Sequence, residues 1–336
     1  MDLSDLSSSA PARMRAFPPG RRGVLLPLGY RKTAALGICL YTTSKPWVVA
    51  LHRAAHRVVS VAGARVLPGQ SELWTPPCSP HEWKLLVAAW HLALGPFDGL
   101  ACYRRRQQAR SGLTLLLTRG GTGLALVKVR AQGEGGLQVE QAALAAVARF
   151  QPRTFHAPRP LGAGEVGTLG WSAQEAVFSA PHQPVLEATP ALFDEVAACL
   201  RGLVPAGSSA GRHPDVSGPA TVPAHGDLTP WNLRRDTAGQ VWLYDWEDVG
   251  PAPVEADRAY FCATARSLGG PPMPLDLPAR ALEHARAVVE RRSQSHAEDA
   301  ALAQALIKAL DEVDHARTVH HRGTREQPAP PDQDRV

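Results

Sequence analysis

Three polar residues, Asp227, Asn232 and Asp245, have the types and spacing to do chemistry together. The first two lie in His225-Gly226-Asp227-Leu228-Thr229-Pro230-Trp231-Asn232. Pro230 disfavours the α region at Thr229, so this run is not continuous helix. Asn232–Asp236 and Val241–Asp245 read as two short strands. Thr237–Gln240 is the turn between them, with Gly239 free to take positive φ. Such a hairpin folds Asp245 back toward Asn232. Two carboxylates and an amide oxygen then face one space, a hard-oxygen set suited to magnesium that also holds phosphate oxygens.

The elements upstream must supply the rest. Leu124–Val129 reads as a strand in which Lys128 shares a face with Leu124 and Leu126. A lysine buried there needs an anion, because an unpaired buried charge is costly. The following helix, Leu137–Phe150, has an apolar stripe of Leu137, Leu144 and Val147, and Glu140 falls on it. A carboxylate in that stripe calls for a partner, and Lys128 is the candidate. The bland alternative is a Glu at the stripe's exposed edge and a lysine whose stem alone is covered.

His225-Gly226-Asp227, then Asn232, then an apolar strand ending in Asp245-Trp246, resembles the phosphotransfer core of the aminoglycoside phosphotransferase and choline kinase-like family. Protein kinases carry a similar Asp-x4-Asn loop and a later metal-binding Asp, and a strand Lys paired with a helix Glu. The resemblance implies a bilobal, protein kinase-like α+β fold, with a small antiparallel-sheet N-lobe and a mostly helical C-lobe. It implies transfer of the γ-phosphoryl group of ATP to a small-molecule hydroxyl. Asp227 would be the base, Asn232 and Asp245 the Mg2+ ligands, and Lys128 the α/β-phosphate ligand positioned by Glu140. Ser111 and the N–H groups of its loop would hold phosphate, helped by Arg110. The Glu175 carbonyl and the Val177 N–H would meet the base edge. Asp257 would hold the catalytic loop's backbone, although an Asp in a helix's first turn also has a simpler reading. His225 reads as structural, since no further His or Cys nearby could complete a metal site.

The chain has 336 residues, enough for two lobes. The expected order is a disordered tail (1–22), an extra N-terminal α/β extension (23–95), the kinase-like N-lobe (96–177), the C-lobe (178–318) and a second disordered tail (319–336). Within the extension, Val24–Leu28 and Ala34–Thr42 read as strands. Pro46–Ala62 reads as a helix stopped by Gly63, and Ser79-Pro80-His81-Glu82 as a capping box opening a helix to Gly95. The glycine-rich Arg119–Gly123 is a hairpin turn and not a phosphate loop, because no Lys-Ser/Thr and no helix follow it. Thr189-Pro190 opens a helix to Leu203, residues 205–219 form a Gly/Ser/Pro-rich mobile stretch, and 278–293 and 296–318 are helices.

Net charge is +5, with +9 over residues 1–245 and −4 over the remainder. The basic residues are scattered, with no Lys/Arg-rich run interleaved with aromatics, so nucleic acid is not the expected partner. The start lacks a signal-peptide pattern and no apolar run reaches membrane-span length. Five cysteines without a C-x-x-C pair fit reduced thiols, and the expected location is cytoplasmic. The helix 46–62 carries His52, Arg53, His56, Arg57 and Ser60. Its favoured reading is a packed helix with a solvated basic face, and the other is peripheral attachment to an anionic membrane. The alternative to an enzyme is a catalytically inactive kinase-like domain that binds nucleotide or a partner. Among acceptors, a sugar, glycan or metabolite hydroxyl is favoured over a drug.

Overall fold

The computed structural model describes residues 12–19, 23–104, 112–133, 136–203, 221–295 and 300–325. Short runs of alternating or continuous apolar residues bounded by Gly and Pro build one large antiparallel sheet. Its strands are β1 (Ala12–Phe17), β2 (Val24–Pro27), β3 (Ser71–Trp74), β4 (Gly99–Arg104), β5 (Leu113–Arg119), β6 (Thr122–Ala131), β7 (Pro160–Val166) and β8 (Leu169–Glu175). They lie in the order β3-β1-β2-β4-β5-β6-β8-β7. The Gly120-Gly121 turn joins β5 to β6, with both glycines at positive φ.

Four helices flank this sheet: α1 (Arg31–Ile38), α2 (Pro46–Ala62), α3 (Pro80–Leu94) and α4 (Leu137–Phe150). The period-2 alternation of β6 sorts its residues to two faces. Ala125, Val127 and Val129 pack with Trp83, Leu86 and Trp90 of α3. Leu126 belongs to the opposite face and packs with Leu36 of α1, Ala101 and Leu116. The capping box at the start of α3 is complete: Ser79 Oγ accepts from Glu82 N and the Glu82 carboxylate accepts from Ser79 N.

The second lobe is mostly helical. It holds α5 (Pro190–Cys199), α6 (Ala256–Ser267), α7 (Ala279–Ser295) and α8 (Ala300–Arg325). Short strands complete it: β9 (Gln183–Pro184), β10 (Thr221–Ala224), β11 (Leu233–Arg235), β12 (Val241–Leu243) and β13 (Gly250–Pro253). They form a β12-β11-β9 sheet and a β10-β13 pair. Phe155, Phe193, Trp246 and Phe261 fill one core, and α6, α7 and α8 enclose another around Tyr260, Leu282 and Leu310. The α+β, two-lobed architecture is as expected.

Several expectations change. Residues 34–42 do not form a strand, because Arg31–Ile38 is helix α1. Ala34 and Ala35 are small, good helix formers, and with Leu36 and Ile38 they give a helix buried almost all round. The segment expected as a tail contributes β1, which pairs with both β2 and β3. With β2 and β3 of the extension it adds three strands to the sheet of β4 to β8. At the other end α8 continues to Arg325, past the expected stop at 318. The stretch 205–219 lies outside the described residues.

Helix α2 has the expected bounds but not the expected orientation. His52 is buried with Val49 and Val59, while Trp47, Leu51, Val58 and Val61 are exposed. No described helix is long and apolar enough to cross a membrane, and all five cysteines are free.

Candidate active site

The hairpin does what its sequence requires. Leu233 pairs with Leu243 across β11 and β12, and Tyr244 N donates to Asn232 O at 3.0 Å. The turn is closed by Asp236, whose Oδ1 accepts from Ala238 N and Gln240 N, and Gly239 has φ 88°. Asp245 itself sits at φ 63°, ψ 61°. A left-handed conformation at a non-glycine residue costs about 1–3 kcal/mol and persists only where its surroundings enforce it. Asn232, Asp245 and Lys128 line one cavity between the lobes.

Lys128 is the hub of a buried charge cluster. Its Nζ lies 2.6 Å from Glu140 Oε1, 2.6 Å from Asp245 Oδ1 and 3.8 Å from Glu247 Oε2. Glu140 is 1% exposed, so it is no stripe-edge residue. Burial pushes its carboxyl up. The Lys128 ammonium opposes that push, and the Asp245 and Glu247 carboxylates add to it. Arg130 hydrogen-bonds Glu247, so two cations meet three carboxylates. Arg130 and Glu247 were not anticipated. For Arg130 the signal existed, two residues beyond Lys128 on the same strand face, whereas Glu247 lies in the helical turn after Asp245.

Asp227 forms a second cluster. Asn232 Nδ2 donates to Asp227 O at 2.9 Å and to Asp227 Oδ2 at 3.0 Å. That commits the Asn232 amide nitrogen and leaves its carbonyl oxygen as a potential metal donor. Arg292 of α7 donates through Nη1 to Asp227 Oδ1 at 2.5 Å and to Tyr260 Oη at 2.8 Å, and through Nη2 to Asp248 Oδ2 at 3.2 Å. Burial raises the Asp227 carboxyl to about 6; Arg292 works against this, while Asp248 and Asp245 reinforce it. Arg292 had no signal in the sequence, being one of four arginines on α7.

The loop that carries Asp227 is held from behind. Asp257 Oδ2 accepts from His225 N at 2.7 Å and Oδ1 from Gly226 N at 3.0 Å. Gly226 takes φ 79°, and the buried His225 ring sits 3.0 Å from Tyr244 O and 4.7 Å from the Trp246 ring. Burial lowers the His225 pKa and favours the neutral ring.

The remaining expected residues are dispersed. Ser111 and Arg110 lie outside the described residues. The Glu175 carboxylate pairs with Arg159, and its N–H donates to Arg159 O. Val177 lines a second cavity with Lys32 and Leu36 of α1 and His56 of α2.

Among the described residues no group of three or more His, Cys, Asp or Glu could hold a metal unaided. Asn232 and Asp245 supply an amide oxygen and a carboxylate. That donor set fits magnesium, which keeps waters and takes its other ligands from substrate phosphates.

Residues 141–288 match the model described as the phosphotransferase enzyme family. No curated protein matches the chain. Solved structures similar to it include an amicoumacin kinase in complex with AMP-PNP, Ca2+ and Ami (12% identity, TM-score 0.40, 73% of this chain and 89% of that one). Another is an aminoglycoside phosphotransferase from Streptomyces rimosus in complex with ADP and streptomycin (16%, 0.37, 68% and 98%). A third is a macrolide 2'-phosphotransferase from Brachybacterium faecium (14%, 0.34, 76% and 100%). The matched segment 141–288 contains Asp227, Asn232, Asp245 and Asp257 but neither Lys128 nor Glu140, and over that segment the chain is similar to the phosphotransferase enzyme family.

Proposed function

We propose that this protein moves the γ-phosphoryl group of ATP to a hydroxyl of a small molecule. The observation that carries the reading is the Lys128 ammonium, held between Glu140 and Asp245 on the wall of a cavity that Asn232 also lines. In that reading Lys128 takes the α/β-phosphates and Glu140 fixes its position. Asn232 and Asp245 would hold magnesium, which offsets phosphate charge. Asp227 orients the acceptor hydroxyl and takes its proton as the oxygen bonds to the γ-phosphorus and ADP departs with the bridging oxygen. Asp257 and His225 keep the loop of Asp227 in place. The protein's share is positioning and charge compensation.

The acceptor we favour is a sugar, glycan or metabolite hydroxyl. Arg292 places a cation against Asp227, which suits a neutral or anionic acceptor better than a polycationic drug. The second reading, a kinase-like domain that binds without transferring, draws on the same contact, because Arg292 engages the carboxylate oxygen that a base would use. A phosphoryl-transfer screen with ATP against classes of hydroxyl compounds decides between them. Transfer to any class supports the enzyme, whereas nucleotide binding without turnover across the screen supports the binding domain.

A further inference from the structure

The face of the sheet that carries Lys128 is shared with the N-terminal extension. Leu36 of α1 packs on Ala101, Leu116 and Leu126 beside Ala176 and Phe178. The part of that face nearest residues 176–178 is therefore occupied by the chain itself. The cavity that holds Lys128, Asn232 and Asp245 is lined as well by Leu126 and Gln174 of this face, and its far wall is formed by Tyr41, Thr43 and His52 of the extension. This wall is tied to the second lobe. Arg234 donates to Thr43 O at 3.4 Å, and Arg53 Nε donates to Pro181 O at 3.0 Å. Tyr41 and His52 meet edge to face with ring centroids 5.4 Å apart.

One polar atom in the cavity stands out. Gln174 pairs across the sheet with Leu126, two residues from Lys128, and is 5% exposed. Its Oε1 is buried and has no hydrogen-bond partner among the described residues. A buried acceptor left unpaired is costly, and native proteins keep few of them without a reason. Gln174 lines the same cavity as Lys128 and Tyr41.

We infer that Gln174 reads the exocyclic amine of the adenine base, and that Tyr41 of the N-terminal extension forms the stacking wall beside it. The inference rests on the reading of this cavity as the donor-nucleotide site. Its chemistry is simple. A nucleotide whose phosphates reach Lys128 can extend through the cavity that Tyr41 and His52 of the extension line together with Leu126 and Gln174 of the strand face. An amino group is a donor and the Gln174 amide oxygen is an acceptor in want of one. An aromatic ring on the wall gives the base a face to stack on, a contact tolerant of sequence but sensitive to truncation. The extension thereby becomes part of the donor site and more than an appendage of the sheet.

Binding of three probes tests this, each with magnesium, followed through Trp231 of the cavity wall. The probes are ATP, purine riboside triphosphate, which lacks the amino group, and inorganic triphosphate. Wild-type protein is expected to prefer ATP to the deaminated analogue by about tenfold. Gln174→Leu should bring ATP down to the analogue's affinity, leave triphosphate unchanged, and not lower the melting temperature, because it removes an unpaired buried atom. A merely structural glutamine would move the melting temperature and not the preference. Tyr41→Ala should weaken both nucleotides by about tenfold and leave triphosphate unchanged. If Gln174→Leu keeps the wild-type preference for ATP, or Tyr41→Ala leaves nucleotide affinity intact, the inference is overturned while the phosphotransferase reading stands. If Lys128→Met changes binding of none of the three probes, the cavity is not the nucleotide site and both readings fall.

Discussion

The two charge clusters of the cleft differ in how they are built. Around Lys128 every member sits on a packed element: β6, α4, and the end of the β12 hairpin with the turn that follows it. Glu140 and Glu247 are 1% and 2% exposed, and the lysine is shared by three carboxylates. Around Asp227 the carboxylate is on a loop and its cation arrives from α7, with the Arg292 side chain 27% exposed. The first cluster is a framework built wholly on packed elements, with the lysine set among three carboxylates. The second gathers two buried acids, Asp227 and Asp248, and the Tyr260 hydroxyl around one arginine that water reaches. The lesson is that one cleft can carry a charge cluster whose cation comes from the sheet beside another whose cation comes from a helix of the second lobe.

The strongest way to break the comparison is at the residue that belongs to the framework and faces the cavity. Asp245→Asn removes one of two proposed metal ligands' charge, and magnesium-dependent ATP binding should be lost. Nucleotide titrations with and without magnesium check this; an unchanged metal dependence removes Asp245 from the ligand set. Next in size is Asp227→Ala, which should fold normally and lose about 10²–10⁴-fold in turnover, the scale of a general base. Turnover near wild type would reassign the role of the loop.

The framework predicts strong coupling between its members. Lys128→Met and Glu140→Gln should each reduce kcat/KM for ATP, and the double variant should be little worse than Lys128→Met alone. Breaking a pair this buried also costs about 3–5 kcal/mol of stability, to be read by denaturant titration. Additive losses in the double-mutant cycle would show that the two residues do not act as a unit.

The smallest expected effect sharpens the other half of the comparison. Asp227 is active as a base only when ionised, and its carboxyl lies at about 6 because burial outweighs Arg292. The kcat/KM profile should therefore rise through about pH 6 and level off above it. Arg292 favours the ionised form, so Arg292→Met should move that acid limb to higher pH and leave the plateau less affected. A limb that stays in place would mean Arg292 does not set the charge of Asp227.

Much of this site was legible because it follows periodicity. The two-residue alternation of β6 put Lys128 on a face with Leu126, the helical spacing of α4 put Glu140 among Leu137, Leu144 and Val147, and the Gly239 turn returned Asp245 to Asn232. The same alternation places Arg130 on the face of Lys128, whereas Glu247 lies in the helical turn after Asp245, where strand periodicity does not reach. Periodicity failed at residues 34–42, where a short apolar run reads alike as strand or buried helix, and packing of α1 on both α2 and the sheet chose the helix.

What the chain's order determined by itself is local: which residues share a face of a strand, where Ser79 and Glu82 cap a helix, which loop presents Asp227. These depend on neighbours within a few positions, through sterics and hydrogen bonds that the sequence spells out. What only the tertiary structure decided is which distant surfaces meet. Arg292 reaches Asp227 across 65 positions, α1 covers the strand face beside Lys128, and Gln174 Oε1 is left without a partner. Those outcomes come from burying apolar area where helices and sheet fit together, a non-directional force that fixes long-range neighbours only once the whole core has packed.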